Sequence, residues 1–397
     1  MPRLRAWTTA AALSAACCVA PLAAQEPVEP PTGIGDTPPP VRTSSQALLP
    51  EVDFYFPEGD LDIRLNRLVK NAFFGGQVRY NFAKGDILAL LRYRYYGLKR
   101  VWQIGVFDDV NYDRLDSGSN DFERARGGLV QVEIPQGIHR RAYLLGEVDN
   151  LTSNKDELVY STDRTNTFVR VGYQIGTPDD SRSNAIVGES RSRVERLFSG
   201  YRKIGPSGFG LTGALTWSFD DLGGDFDYLR AELEGLKRLP GRNERFAIVR
   251  LHAGSFLSAA VVRPEEEKPH DRYAIPLQEL FRLDGREELK GLDERRYGTE
   301  ELHATFEWFL PWFTEADRKA LKGSWETWYW VLYAGAGTVG YSSAIFSDWD
   351  EYVPDVGFGF ESAVRFGRHV FFISAVAAHA LDEGGDLKTS LSIKSSR

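Results

Sequence analysis

From residue 71 onward, apolar and polar side chains alternate with a period of two, the signature of strands with two chemically different faces. In 302–312, Ala304, Phe306, Trp308 and Leu310 alternate with His303, Thr305, Glu307 and Phe309. In 326–339, Trp328, Trp330, Leu332, Ala334 and Ala336 alternate with Thr327, Tyr329, Val331, Tyr333, Gly335 and Gly337. One face suits lipid; the other mixes polar groups and glycine. The pattern predicts strands at 71–83, 85–97, 99–112, 122–134, 139–151, 166–177, 183–190, 193–204, 209–220, 226–238, 244–257, 302–312, 326–339, 356–367, 369–381 and 387–394. That is about 16, an even number within the ~8–26 range of bacterial outer-membrane barrels. Segments 183–190 and 193–204 are split because parity demands it. The loops 113–121, 152–165, 258–301, 340–355 and 382–386 then share one end. The turns Gly97-Leu98, Gly205 to Gly208, Leu239 to Asn243 and Gly367-Arg368 share the other. Long loops at one end and short turns at the other fit a transmembrane barrel; 313–325 is an exception.

Composition sharpens this picture. Past the N-terminus, no run of roughly 18 apolar residues exists, which excludes a helical membrane protein, yet aromatics make up 13% of the chain. A soluble β-sandwich also alternates, so the aromatics, strand count and loop asymmetry carry the choice. The fold class expected is all-β: a transmembrane antiparallel β-barrel.

The first residues read as a secretory signal, 1–25. Arg3 and Arg5 supply the charged start, Ala10 to Ala20 the apolar run, and Leu22-Ala23-Ala24-Gln25 the small residues for cleavage. A lipoprotein at Cys17 has poor spacing. Both cysteines, Cys17 and Cys18, lie in this signal, so the mature chain would hold no disulfide or cysteine metal site. Its net charge would be about −10 (−8 minus 2), which argues against nucleic acid as a partner. Residues 26–50 are proline-rich and predict an extended linker. Residues 51–70 are ambiguous between plug, helix and lip. The expected division is thus 1–25 signal, 26–70 linker and N-terminal periplasmic segment, 71–397 barrel.

At 276–299 the chain reads PLQELFRLDGREELKGLDERRYGT, followed by ELHATFEWFLPW. This resembles the bacterial surface antigen superfamily, the BamA/TamA-like barrels, which carry a glycine-rich phrase in the long loop between strands eleven and twelve. Phe281, Leu283, Gly285, Leu289 and Gly291 match that phrase, and Glu307 and Pro311 roughly match the next strand. The resemblance is clearest over 276–381. Lys290 stands where the superfamily has arginine, Leu292 where it has an aromatic, and Gly335 where aspartate is usual. The C-terminus lacks the usual terminal aromatic. The stretch before residue 71 is too short for a POTRA repeat, so a POTRA-less form is expected.

What the resemblance implies is a loop folded into the lumen with its cationic tip held by wall carboxylates. The loop-lock residues are Lys290, Gly291, Glu307 and Glu361. Gly335, Gly337, Gly357 and Gly359 share the inward face and are expected to let the loop backbone approach. The bland alternative leaves Lys290 in a solvated loop beside Glu287, Glu288, Asp293 and Glu294. The function implied is outer-membrane protein biogenesis or polypeptide translocation, with lipid and client polypeptides or envelope assembly proteins as partners. A passive pore or structural barrel is the alternative.

Other chemistry is weak. His139, His252, His270, His303, His369 and His379 are scattered, with no metal-ligand spacing beside a carboxylate. Gly340-Tyr341-Ser342-Ser343-Ala344 lacks the second glycine of a nucleophile elbow. His379 with Ser374 or Ser390 is not singled out as a lipase pair. No phosphate-binding glycine loop precedes a helix. No catalytic residue, cofactor or metal is expected, and the chain reads as a non-enzyme. Arg92, Arg94, Arg124, Arg126, Arg140, Arg141, Arg170 and Arg250 fit either an ion pathway or a lumen wall balanced by Glu123, Glu133 and Glu147.

Overall fold

The computed structural model describes residues 49–56, 60–69, 72–82, 85–96, 99–113, 121–136, 140–153, 164–176, 209–243, 245–259, 275–283, 289–292, 296–313, 318–320, 323–366, 369–381 and 387–396. Its strands are β1 (Leu49–Phe56), β2 (Asp60–Val69), β3 (Ala72–Asn81), β4 (Ile87–Tyr96), β5 (Val101–Asp113), β6 (Asp121–Pro135), β7 (Arg140–Ser153), β8 (Arg164–Gly176), β9 (Phe209–Ser218) and β10 (Tyr228–Pro240). They continue with β11 (Phe246–Ala259), β12 (Phe281–Leu283), β13 (Arg296–Gly298), β14 (Glu300–Phe313), β15 (Arg318–Ala320), β16 (Gly323–Gly340), β17 (Val353–Phe366), β18 (His369–Ala380) and β19 (Lys388–Ser396). Among the described residues no helix is long and apolar enough to cross a membrane.

Seventeen strands share one sheet. β15 is a three-residue spur on β16, and the other sixteen pair antiparallel with their neighbours. β1 pairs with β2 along one edge and with β19 along the other, so the ladder runs from the last strand back to the first. β12 and β13 form a separate hairpin inside the connection from β11 to β14.

The side chains are sorted inside-out relative to a soluble protein. On β4, Leu91, Tyr93 and Tyr95 face outward and exposed, while Arg92 and Arg94 are buried within. On β5, Ile104 is 52% exposed and its neighbour Gln103 is 2% exposed. On β7, Leu144 and Val148 are exposed and Glu147 and Asp149 buried. A charge on a lipid-facing strand position costs ~2–4 kcal/mol at the bilayer midplane, so the outer face is apolar and the polar groups collect in the lumen. There they pair: Arg94 binds both oxygens of Glu133, at 3.1 and 2.9 Å, and Arg141 reaches the same carboxylate at 3.2 Å. Outside β14, β16 and β17, stacked rings form an aromatic patch. Trp328 lies 4.5 Å from Phe360, Trp330 5.3 Å from Phe358, and Trp312 6.0 Å from Trp330. Amphipathic rings of this kind favour the edge of the hydrocarbon layer.

Two expectations change. The sheet begins at Leu49, not residue 71, because β1 and β2 come from the segment read as ambiguous and periplasmic. Leu61, Ile63 and Leu65 do alternate there with Asp60, Asp62 and Arg64, but Arg67 breaks the apolar parity, and this charge density masks a strand whose other face lies against a polar lumen. Asp62 is buried and accepts from Gln77 Nε2 at 2.9 Å. Second, β8 and β9 pair directly, so they are neighbours in the sheet; the segments 183–190 and 193–204, where two strands were expected, lie outside the described residues. The ring still holds sixteen strands, because β1 and β2 enter it ahead of the expected first strand. The proline-rich linker and the signal lie almost wholly outside the described residues.

Candidate functional site

The connection between β11 and β14 folds back against the barrel wall, and apolar side chains are the reason. Ile275, Leu280, Phe281 and Tyr297 pack with Ala125, Leu151, Phe226, Tyr228 and Phe256. Further along, Leu283, Leu289 and Leu292 pack with Val353 and Ala380. Phe281, Leu283 and Leu289 have no exposed surface. At ~1.5–3 kcal/mol for each fully buried large apolar side chain, this packing is what brings the loop inward. Gly254 of β11 makes room: an added Cβ would lie 2.1 Å from the Phe281 ring.

Ionic contacts then pin the connection at two places. Near its start, Glu279 lies 3.3 Å from Arg230 Nη1 on β10 and 3.7 Å from Arg170 Nη2 on β8. Gln278 Nε2 donates to Asp149 on β7. The Arg230 guanidinium also sits 4.4 Å over the Phe281 ring.

The tip is held by the opposite wall chemistry. Lys290 Nζ is 2.6 Å from Glu307 Oε1 on β14 and 4.7 Å over the Tyr333 ring on β16. Gly291 N–H donates to Asp355 Oδ2 on β17 at 2.9 Å. Lys388 Nζ on β19 donates to the Leu292 carbonyl at 2.6 Å. Gly291 has no room for a side chain, since a Cβ would fall 2.4 Å from Ala380 N. Glu307 is 1% exposed and stands beside an apolar cluster of Ile248, Phe309, Tyr329 and Val331. A carboxylate there must be paired to stay charged, and Lys290, with Arg250 Nη2 at 3.8 Å, provides this.

Of the residues singled out in the sequence, Lys290, Gly291 and Glu307 therefore meet. Glu361 is buried on the same wall, in register with Tyr329 and Ser374, and Asp355, also on β17, accepts from the backbone of the tip. Gly335 and Gly337 do face the loop: added Cβ atoms would lie 3.0 Å from Leu289 and 3.2 Å from Leu283. Gly357 and Gly359 serve another purpose, because their open side is filled by the β18 backbone at Ala377 and Ala375. Asp355 was within reach of the parity argument, as it shares the inward face of Gly357 and Glu361. Glu279, Arg170 and Arg230 carried no motif that paired them.

One further group was missed. His252 on β11 lies directly across from His303 on β14, and Glu301 shares that inward face. Glu301 carboxylate oxygens lie 3.3 Å from His252 Nδ1 and 3.0 Å from His303 Nδ1. Sequence spacing conceals this, because the two strands are separated by the long connection. The arginines are mostly held: besides those above, Arg124 makes a two-pronged bond to Asp108 at 2.7 and 2.5 Å. Arg126 joins the same carboxylate at 3.2 Å.

No family model matches the chain, and no curated protein does. Solved structures are similar in fold. The BamA of Haemophilus ducreyi lacking POTRA domains 1–3 superposes with a TM-score of 0.60 at 11% identity, over 87% of this chain and 69% of that one. CdiB from Escherichia coli gives 0.54 at 12% identity, over 87% and 62%. CdiB from Acinetobacter baumannii gives 0.50 at 11%, over 87% and 59%. The chain thus spans about three fifths of the two CdiB chains. The ring of sixteen strands shares its barrel fold with these BamA and CdiB structures.

Proposed function

We propose that this protein sits in the bacterial outer membrane, made from a precursor whose residues 1–25 are removed, and that it inserts or translocates polypeptide rather than catalysing a reaction. The observation that carries the reading is the join between the ends of the sheet. Among the described residues, β1 and β19 share four residue pairs, Asp53 with Lys394 through Phe56 with Leu391. Within the ring of sixteen strands, the next shortest ladder among the described residues, β1 with β2, has seven. A short ladder is the easiest to part, and a parted ladder exposes unpaired backbone groups that an incoming strand can match by β-augmentation. The BamA/TamA-like resemblance of the loop and the shared barrel fold support the same reading. A connection packed into the lumen and tied to both walls disfavours the alternative, a passive pore.

The test is a seam lock. Cysteines at Phe54 and Ile393, a register pair, would be oxidised in the otherwise thiol-free mature chain. The unlocked protein in vesicles is expected to speed folding of a second outer-membrane barrel, the oxidised form to lose that effect, and reduction to restore it. Unimpaired activity of the locked form would overturn the seam mechanism. Conductance in planar bilayers with no effect on client folding would favour the pore. The location has its own check: the protein should fractionate with the outer membrane, migrate faster unboiled than boiled, and begin near residue 26 on N-terminal sequencing.

A further inference from the structure

Three ligand-type side chains converge where the long connection leaves and rejoins the wall. Strand register builds the group. His252 of β11 and His303 of β14 are directly opposed, and Glu301 lies two residues before His303 on the same inward face. The imidazole centroids are 5.2 Å apart and tilted by 43°. One candidate ligand atom from each residue lies within 4.8 Å of the others.

The spacing suits a small divalent ion. Zinc bonds to nitrogen and oxygen at ~2.0–2.1 Å, which places tetrahedral ligand atoms about 3.3 Å apart. Glu301 Oε2 is already 3.3 Å from His252 Nδ1, and its other oxygen, Oε1, 3.0 Å from His303 Nδ1. Two hydrogen bonds to one carboxylate would explain the group equally well if both contacts were aligned. Only the His303 contact has hydrogen-bond geometry; His252 Nδ1 is buried and makes no hydrogen bond. Glu301 is wholly buried, whereas the His252 and His303 side chains keep 14% and 12% of their surface exposed. The group is therefore anchored by its carboxylate and reachable from lumen water at its imidazoles.

We propose that His252, Glu301 and His303 form a site for one divalent transition metal of the zinc class, completed by lumen water. Two imidazoles and a carboxylate match that class, and three protein ligands with one open position are a common zinc arrangement. The surroundings bear on affinity. Glu234 of β10 is in register with His252 and adds negative charge from the other side. Arg250, two residues before His252, is engaged toward Glu307. Gly337, in register with His303, clears space, since a Cβ there would lie 2.7 Å from His303 Cβ. A bound ion would staple β11 to β14, the two stems of the lumen connection, and so tie metal occupancy to how firmly that connection is seated.

The experiment uses the full-length protein in detergent, stripped with EDTA and freed of any histidine tag. Zinc titrated by calorimetry is expected to bind at one ion per chain, with a micromolar or tighter constant, and to raise the unfolding temperature. His303→Gln and Glu301→Gln should each weaken binding at least tenfold while keeping heat-modifiable migration, which shows the barrel is folded. If His303→Gln fails to fold, His252→Gln, on the more exposed ring, reads the same quantity. Wild type that binds zinc no more tightly than a folded His252→Gln variant, with no thermal shift, would overturn the proposal and leave the three residues as a hydrogen-bonded clamp between strands.

Discussion

The two places where the lumen connection is pinned use opposite charge logic. At the start, the connection brings a carboxylate, Glu279, to arginines on β8 and β10. At the tip it brings an ammonium, Lys290, and a backbone N–H to carboxylates on β14 and β17. A connection seated the wrong way round would set acid against acid and base against base. Direction is thus specified by repulsion as much as by attraction. The packing differs as well. The start leans on large rings, Phe281, Phe256 and Tyr228, whereas the tip fits through small residues, Gly291 and Gly335. The start should tolerate side-chain changes that the tip cannot.

Gly291→Val should be the most damaging change, because its side chain would overlap the backbone of Ala380. Overpacking costs typically ~1–3 kcal/mol and more against fixed backbone. The denaturant midpoint should fall, and leak conductance should rise as the tip is expelled. Valine at Gly359 would also overlap backbone, that of β18, so its stability should fall too while leak stays near wild type; an equal rise in leak at both positions would break the contrast.

Lys290→Ala and Glu307→Ala come next. Removing one partner of a buried pair can cost ~3–5 kcal/mol, and a wet lumen should keep each loss at about 3 kcal/mol or below. The double variant should lose at least ~1 kcal/mol less than the sum, as contacting partners do. Strict additivity in denaturant titrations would mean that the groups do not stabilise each other. Asp355→Asn probes the same tip more gently. Asparagine keeps an oxygen for the Gly291 N–H, so the expected loss is about 1 kcal/mol.

At the other pin, Glu279→Gln should lower stability by about 1–2 kcal/mol, since the packed rings remain and the amide still accepts from Arg230. Leak should rise less than for Lys290→Ala; the reverse order would make the start the principal pin. The smallest effect is expected from Lys290→Arg. A guanidinium can engage both oxygens of a carboxylate, but Arg250 already lies 3.8 Å from Glu307 Oε2. The net change should therefore stay within about 1 kcal/mol.

The sheet was legible because a barrel wall between lipid and a polar lumen imposes strict alternation, and β14 and β16 show it in full. It failed in β2, where closely spaced charges hid a strand, and between β8 and β9, which pair directly where two further strands were expected. Lys290, Gly291 and Glu307 were legible from the loop phrase. Gly357 and Gly359 were placed on the correct face with the wrong neighbour, because parity gives direction and not what fills the space. His252 and His303 were invisible in spacing: their meeting is a consequence of register across a connection of some forty residues.

The bond from Lys388 to the Leu292 carbonyl has a mechanical meaning. A hoop of strands is soft to flattening, and a tie across its bore stiffens one diameter. Here the tie runs from the β7–β10 side to the β14–β19 side. Its last fastening is on β19, the strand whose other edge shares four residue pairs with β1 among the described residues. A pull on the tie would therefore be delivered to the strand that carries the proposed seam. Loosening the tip at Lys290 should alter how often that seam breathes, even though its partner Glu307 lies on β14. Hydrogen exchange at the backbone amides of Phe54 and Ile393 would register that breathing directly.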